Sequence, residues 1–112
     1  MSQSHENSND VYESFRALMN AFFDRYPDND FKLMARNWLA ELVIHRDEFP
    51  GKPGGWVGGI YYAIKSRGLV RPVHVILNEE LEQVFDASMS AIRKRAAQIC
   101  DIVEPVVYPL HP

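Results

Sequence analysis

The chain has 112 residues, 46% of them hydrophobic and 24% charged, which suits one globular domain and excludes a chain disordered throughout. A formal net charge of -3 argues against a generally basic nucleic-acid binder, and a single cysteine, Cys100, excludes an internal disulfide or a cysteine-rich zinc site. Apolar windows are interrupted by Arg, Lys or Glu well short of the ~18 residues a membrane span needs, and the first ten residues lack the basic start and apolar core of a secretory signal, so a cytoplasmic protein without a membrane partner is expected.

Residues 1–9 are polar and read as an unfolded tail. Asn9 or Asp10 can cap a first helix, in which Val11, Phe15, Leu18, Met19, Phe22 and Tyr26 share one face before Pro27 stops it. Asp28-Asn29-Asp30 offers the next cap, and Phe31, Met34, Ala35, Trp38, Leu39, Leu42 and Val43 make the apolar stripe of a second helix reaching about His45. From Asp47 to Gly55, two prolines and three glycines in nine residues predict a loop. Lys52 there is followed by Pro53 and has no strand upstream, which departs from the phosphate-cradling Gly-x-x-x-x-Gly-Lys-Ser/Thr motif.

Residues 55–66 are the most informative stretch. Trp56, Val57, Ile60, Tyr61 and Ile64 recur at helical spacing, while Gly58, Gly59 and Ala63 fill the faces between them. Each interior glycine costs an exposed helix about 1 kcal/mol, so this composition predicts a buried central helix that the others wrap, with the glycines admitting close neighbours. Gly68 follows as a C-cap, and Leu69 to Leu77 reads as an extended crossing segment more than a sheet strand. Asn78 then caps a short helix carrying Leu81, Val84 and Phe85 inward. Asp86-Ala87-Ser88 makes a tight turn, with Asp86 suited to a left-handed conformation and Ser88 to capping. In the last helix Met89, Ile92, Ala96, Ile99 and Val103 repeat at steps of three and four, and Glu104-Pro105 ends it, leaving an extended tail over 105–112.

Five helices, the third apolar all round, resemble the cyclin box that cyclins share with B-type general transcription factors. The residues carrying the likeness are Gly59-Ile60-Tyr61-Tyr62-Ala63-Ile64, then Leu77 to Phe85, then Ser90 to Arg95 with Ile99. Gly51-Lys52-Pro53 and Trp56-Val57-Gly58-Gly59-Ile60-Tyr61-Tyr62-Ala63-Ile64 are also similar to an uncharacterised group of bacterial domains, some joined to SEC-C motifs. The resemblance implies an all-α, five-helix cyclin-like bundle over 10–104 with a C-terminal helix-turn-helix over 78–103. Glu82 and Asp86 stand where such a unit usually prefers alanine and glycine.

Two functional readings follow. Residues 1–50 carry 5 basic and 9 acidic side chains, whereas 51–112 carry 7 and 6, so the positive charge lies towards the C-terminal half. Ser88, Ser90, Arg93 and Lys94 on the last helix, with Lys65, Arg67, Arg71 and His74 as a neighbouring strip, are expected to contact nucleic acid; the competing reading makes Arg93 and Lys94 solvated side chains of an amphipathic helix and expects Arg95 to pair with an acid of the fourth helix. The alternative is a partner-protein or homodimer interface anchored on Phe49, Trp56 and Tyr62. The four histidines are scattered, paired-carboxylate spacing is absent, and Cys100 reads as a small buried hydrophobe, so no enzyme, cofactor or metal site is expected.

Overall fold

A computed structural model describes the backbone of residues 3–107 and the side chains of 10–104. Five helices follow one another: α1 (Gln3–Arg25), α2 (Asn29–His45), α3 (Pro53–Ser66), α4 (Asn78–Phe85) and α5 (Met89–Val107), with no strand among the described residues. The outer ends of the two expected tails, 1–2 and 108–112, lie outside the described residues. Where backbone is described, the helices run further than expected. α1 begins at Gln3, ahead of the Asn9 or Asp10 cap, and α5 passes through Pro105. Pro105 lacks the N–H that would have reached the Asp101 carbonyl, a loss that falls in the last turn of the helix.

α3 occupies the centre. It touches all four other helices, and Gly54 through Tyr61, Ala63 and Ile64 are buried. Pro53 opens the helix, where a fixed φ fits and a missing N–H costs nothing. Its C-terminus closes with Gly68 at φ 69, which lets the Leu69 N–H reach the Ile64 carbonyl at 3.2 Å and the Gly68 N–H reach Lys65 at 3.1 Å. The glycines inside the helix act as the sequence implies. A Cβ at Gly59 would stand 3.0 Å from the Ala96 backbone nitrogen, and one at Gly58 3.0 Å from Ile92, so α3 and α5 lie nearly in contact at this point. Gly58 against Ile92, Gly59 against Ala96 and Arg67 against Glu104 show that the two helices run parallel.

A line of rings ties the remaining helices to α3. Phe85 of α4 stacks on Phe22 of α1 at 4.8 Å, Phe22 meets Tyr61 of α3 at 5.0 Å, and Tyr61 stacks on Phe31 of α2 at 4.8 Å. Each such pair contributes about 0.5–1.5 kcal/mol beyond the area it buries. Asp28 joins two chain segments that are far apart in sequence: one carboxylate oxygen accepts from the Phe31 N–H and caps α2, and the other accepts from Val73 at 2.9 Å. The 69–77 segment thereby crosses the molecule as an ordered, non-sheet connection, with Ile76 buried and the His74 ring donating to the Pro27 carbonyl at 2.9 Å.

Candidate nucleic-acid interface

The α4–α5 corner is built from local bonds. α4 is entered at Leu77, whose N–H donates to Glu80 Oε1 at 3.3 Å, so Glu80 does the capping that Asn78 was expected to do. The helix ends on Asp86 in the left-handed conformation, φ 51 and ψ 49, as its short polar side chain permits. Ser88 caps α5, its hydroxyl accepting from the Ala91 N–H at 3.1 Å. Glu82 fits the corner instead of disturbing it: its carboxylate accepts from the Met89 N–H at 2.8 Å. Glu80 is likewise engaged, accepting from the Tyr26 hydroxyl at 3.1 Å. Two of the three acids in the Glu79-Glu80-Glu82 run therefore serve the fold.

α5 turns Met89, Ile92, Ala96, Ile99, Cys100 and Val103 inward, and burial pushes the Cys100 thiol up from its ordinary value. Ser90, Arg93 and Lys94 stand exposed on its first two turns, with the Arg93 guanidinium 5.9 Å from the half-buried Tyr62 ring. The rest of the expected strip lies elsewhere. Arg67 forks onto Glu104, with Nε to Oε2 at 2.9 Å and Nη2 to Oε1 at 3.1 Å, and that bond holds its proton more tightly than usual. Because the helices are parallel, Glu104 marks a point eleven residues, or about 16 Å, along α5 from Arg93. Lys65 is exposed near this far end, Arg71 is exposed on the crossing segment, and His74 is spent on Pro27 and the Tyr26 ring.

Arg95 corrects its expected role. It does not pair with an acid of α4. Nη2 donates to the Pro50 carbonyl at 2.7 Å, Nη1 donates to Gln98 at 3.0 Å, and the guanidinium lies 4.6 Å from the Trp56 ring. Trp56 itself is 0% exposed and donates from Nε1 to the same Pro50 carbonyl at 3.0 Å. It is a core residue, and its place as a docking anchor falls away. Phe49 is half-buried, edge-on to both Phe15 and Trp56, and so packs the loop onto the body.

These bonds pin the 46–52 loop and bring Lys52 to the α4–α5 corner, its ammonium 3.5 Å from Asp86. Lys52 and Arg95 are thus cations beside the first turns of α5 that sequence reasoning left out of the site. The Gly51-Lys52-Pro53-Gly54-Gly55 run was the available signal, since a stretch without side chains admits a close neighbour. Comparison with protein-family models, curated proteins and solved structures returned no match.

Proposed function

We propose that this is a non-catalytic, cyclin-like domain whose α4–turn–α5 unit is a helix-turn-helix that binds nucleic acid through the outward face of α5. The observation carrying this reading is that Ser90, Arg93 and Lys94 stand exposed on the first two turns of α5 while Glu80 and Glu82 are held by internal bonds. The cations there face solvent, and two of the adjoining acids, Glu80 and Glu82, are drawn into the fold, whereas Glu79 stays exposed. Arginine suits the task because its fork can meet phosphate oxygens or the guanine edge with two parallel bonds.

The test is fluorescence anisotropy with labelled mixed-sequence duplex DNA across a salt series. The wild-type protein is expected to bind with a steep loss of affinity as salt rises. The Arg93→Ala, Lys94→Ala double variant is expected to flatten the slope of log K against log salt by about 2, roughly one unit for each phosphate left unneutralised, with an unchanged melting temperature. Equal slopes for the two proteins sink the reading.

One observation favours a second reading, a protein-docking domain. Val73, Val75 and Leu77 are 70%, 92% and 59% exposed along the crossing segment. They lie within five residues of one another on the connection between α3 and α4, an exposed apolar patch that a partner could cover. Light scattering that reports a dimer dissociated by Val75→Lys, together with no DNA binding, selects this reading over the first.

A further inference from the structure

A cleft of about 300 Å³ opens between Gly51, Lys52 and the first turn of α3 on one side and the α4–α5 corner on the other, lined by Gly51, Lys52, Gly55, Ala87, Ser88, Ala91 and Arg95. We infer that this cleft binds a phosphate group, held between the Lys52 ammonium and the Arg95 guanidinium. The inference goes beyond the outward face of α5, because neither Arg93 nor Lys94 lines the cleft.

Charge, shape and preorganisation agree. Two of the lining side chains are cations. Arg95 runs along the cleft from Gly55, where a Cβ would stand 3.6 Å from its Cγ, to Gly51, where a Cβ would stand 2.9 Å from Nη2. A side chain at residue 51 would therefore press on the guanidinium, and φ 86 there already requires glycine. Pro50 and Gln98 take two of the five guanidinium N–H groups, which fixes the plane and leaves donors for a ligand. The Trp56 ring beneath it holds that orientation at little further entropic cost. The remaining walls are Gly51, Gly55, Ala87 and Ala91, small enough for a tetrahedral oxyanion to approach backbone, and Ser88 adds a hydroxyl. The volume is at the lower end of small-molecule sites. Among the described residues the carboxylate paired with these cations is Asp86, which meets Lys52 at 3.5 Å with both side chains mostly in water, a pairing weak enough for a doubly charged ligand to displace.

Phosphate chemistry of this kind has two sources, a free phosphate ester and the backbone of a nucleic acid. The experiment is a ¹H–¹⁵N titration of the full chain with inorganic phosphate, adenosine monophosphate and a short single-stranded oligonucleotide, each followed at the Gly51, Gly55, Ser88 and Ala91 amides. Inorganic phosphate and the monophosphate are expected to shift these amides saturably. Lys52→Ala is expected to weaken binding roughly fivefold or more, because it removes a charge-assisted bond. Asp86→Asn is expected to tighten it by removing the competing carboxylate. Ala91→Glu, on the rim of α5, is expected to abolish it by placing a negative charge in the cleft, with amides remote from the cleft unmoved. Oligonucleotide shifts at the same four amides, displaced by free phosphate, assign the backbone as the source; shifts with the monophosphate alone assign a small phosphorylated ligand. An absence of saturable shifts at these amides, or affinities unchanged in Lys52→Ala and Ala91→Glu, overturns the inference. Failure of the α5 reading is seen separately, as duplex DNA that does not bind while phosphate still occupies the cleft.

Discussion

Tyr61 places a phenol where its hydroxyl is poorly served. It is 4% exposed, sandwiched among Phe22 and Phe31, and its hydroxyl has no hydrogen-bond partner among the described residues. Burial, reinforced by the nearby Asp28 carboxylate, pushes its phenol up to about 12 from an ordinary value of 10.0. In the unfolded chain the proton leaves first. Stability from the neutral buried phenol is therefore complete below pH 10 and is lost as pH rises through 12, a loss of roughly 2–3 kcal/mol when fully developed. Tyr61→Phe keeps both ring contacts and removes the titration. Urea unfolding at pH 7 is expected to separate variant and wild type by less than about 1 kcal/mol. Between pH 10 and 12 the wild type is expected to weaken more steeply, and parallel curves over that range would show that the phenol is not held in its neutral form.

At the scale of elements, α3 shows what each glycine is for, and two neighbours in its first turn separate the roles. A Cβ on Gly54 would fall 1.5 Å from the Phe85 carbonyl oxygen, which is backbone and cannot swing aside; a Cβ on Gly55 meets nothing closer than Arg95 Cγ at 3.6 Å. Gly54→Ala must push α4 away from α3 and break the Phe85–Phe22 stack, so a loss above about 3 kcal/mol is expected, in the range of severe overpacking. Gly55→Ala gains helix propensity with ordinary contact and is expected to change stability by between zero and about 1 kcal/mol in the favourable direction. Thermal melts of the two variants decide, and similar losses in both would mean that α3 and α4 do not meet through the Gly54 backbone. The need for a buried helix here was legible in the chain, because a helix apolar on every face has nowhere else to go. Which glycine meets backbone and which meets only a side-chain stem was not, since that depends on where a carbonyl 31 residues away comes to rest. The same limit explains Arg95. Its neighbours in sequence suggested a partner on the adjacent helix, while its actual partner, the Pro50 carbonyl, is 45 residues distant. The capping residues Asp28 and Ser88 and the left-handed Asp86 were legible because their capping bonds span only three or four residues.

At the scale of the whole molecule, α5 carries charge with two opposite consequences. Its flank towards the 46–52 loop is structural: Arg95 joins α5 to Pro50, and with Arg46, 4.9 Å from the same ring, it sets two guanidinium groups against Trp56 of α3. One side chain thus links the last helix, the central helix and the loop that presents Lys52. The other flank, with Arg93 and Lys94, meets solvent and a single tyrosine ring. Two arginines two residues apart are therefore expected to behave differently. Arg95→Ala loses a charged hydrogen bond to a carbonyl together with its ring contact, and is expected to cost about 1–3 kcal/mol. It is also expected to raise hydrogen exchange at the amides of residues 47–52, because the loop loses one of the two donors on the Pro50 carbonyl. Arg93→Ala is expected to stay within about 0.5 kcal/mol of wild type, as surface substitutions do, with loop exchange unchanged. Exchange mass spectrometry on the two variants reads both effects at once. If Arg95→Ala leaves the loop protected, then Trp56 Nε1 and the Phe49 ring suffice to hold it, and Lys52 keeps its place at the corner of α4 and α5 without help from the last helix.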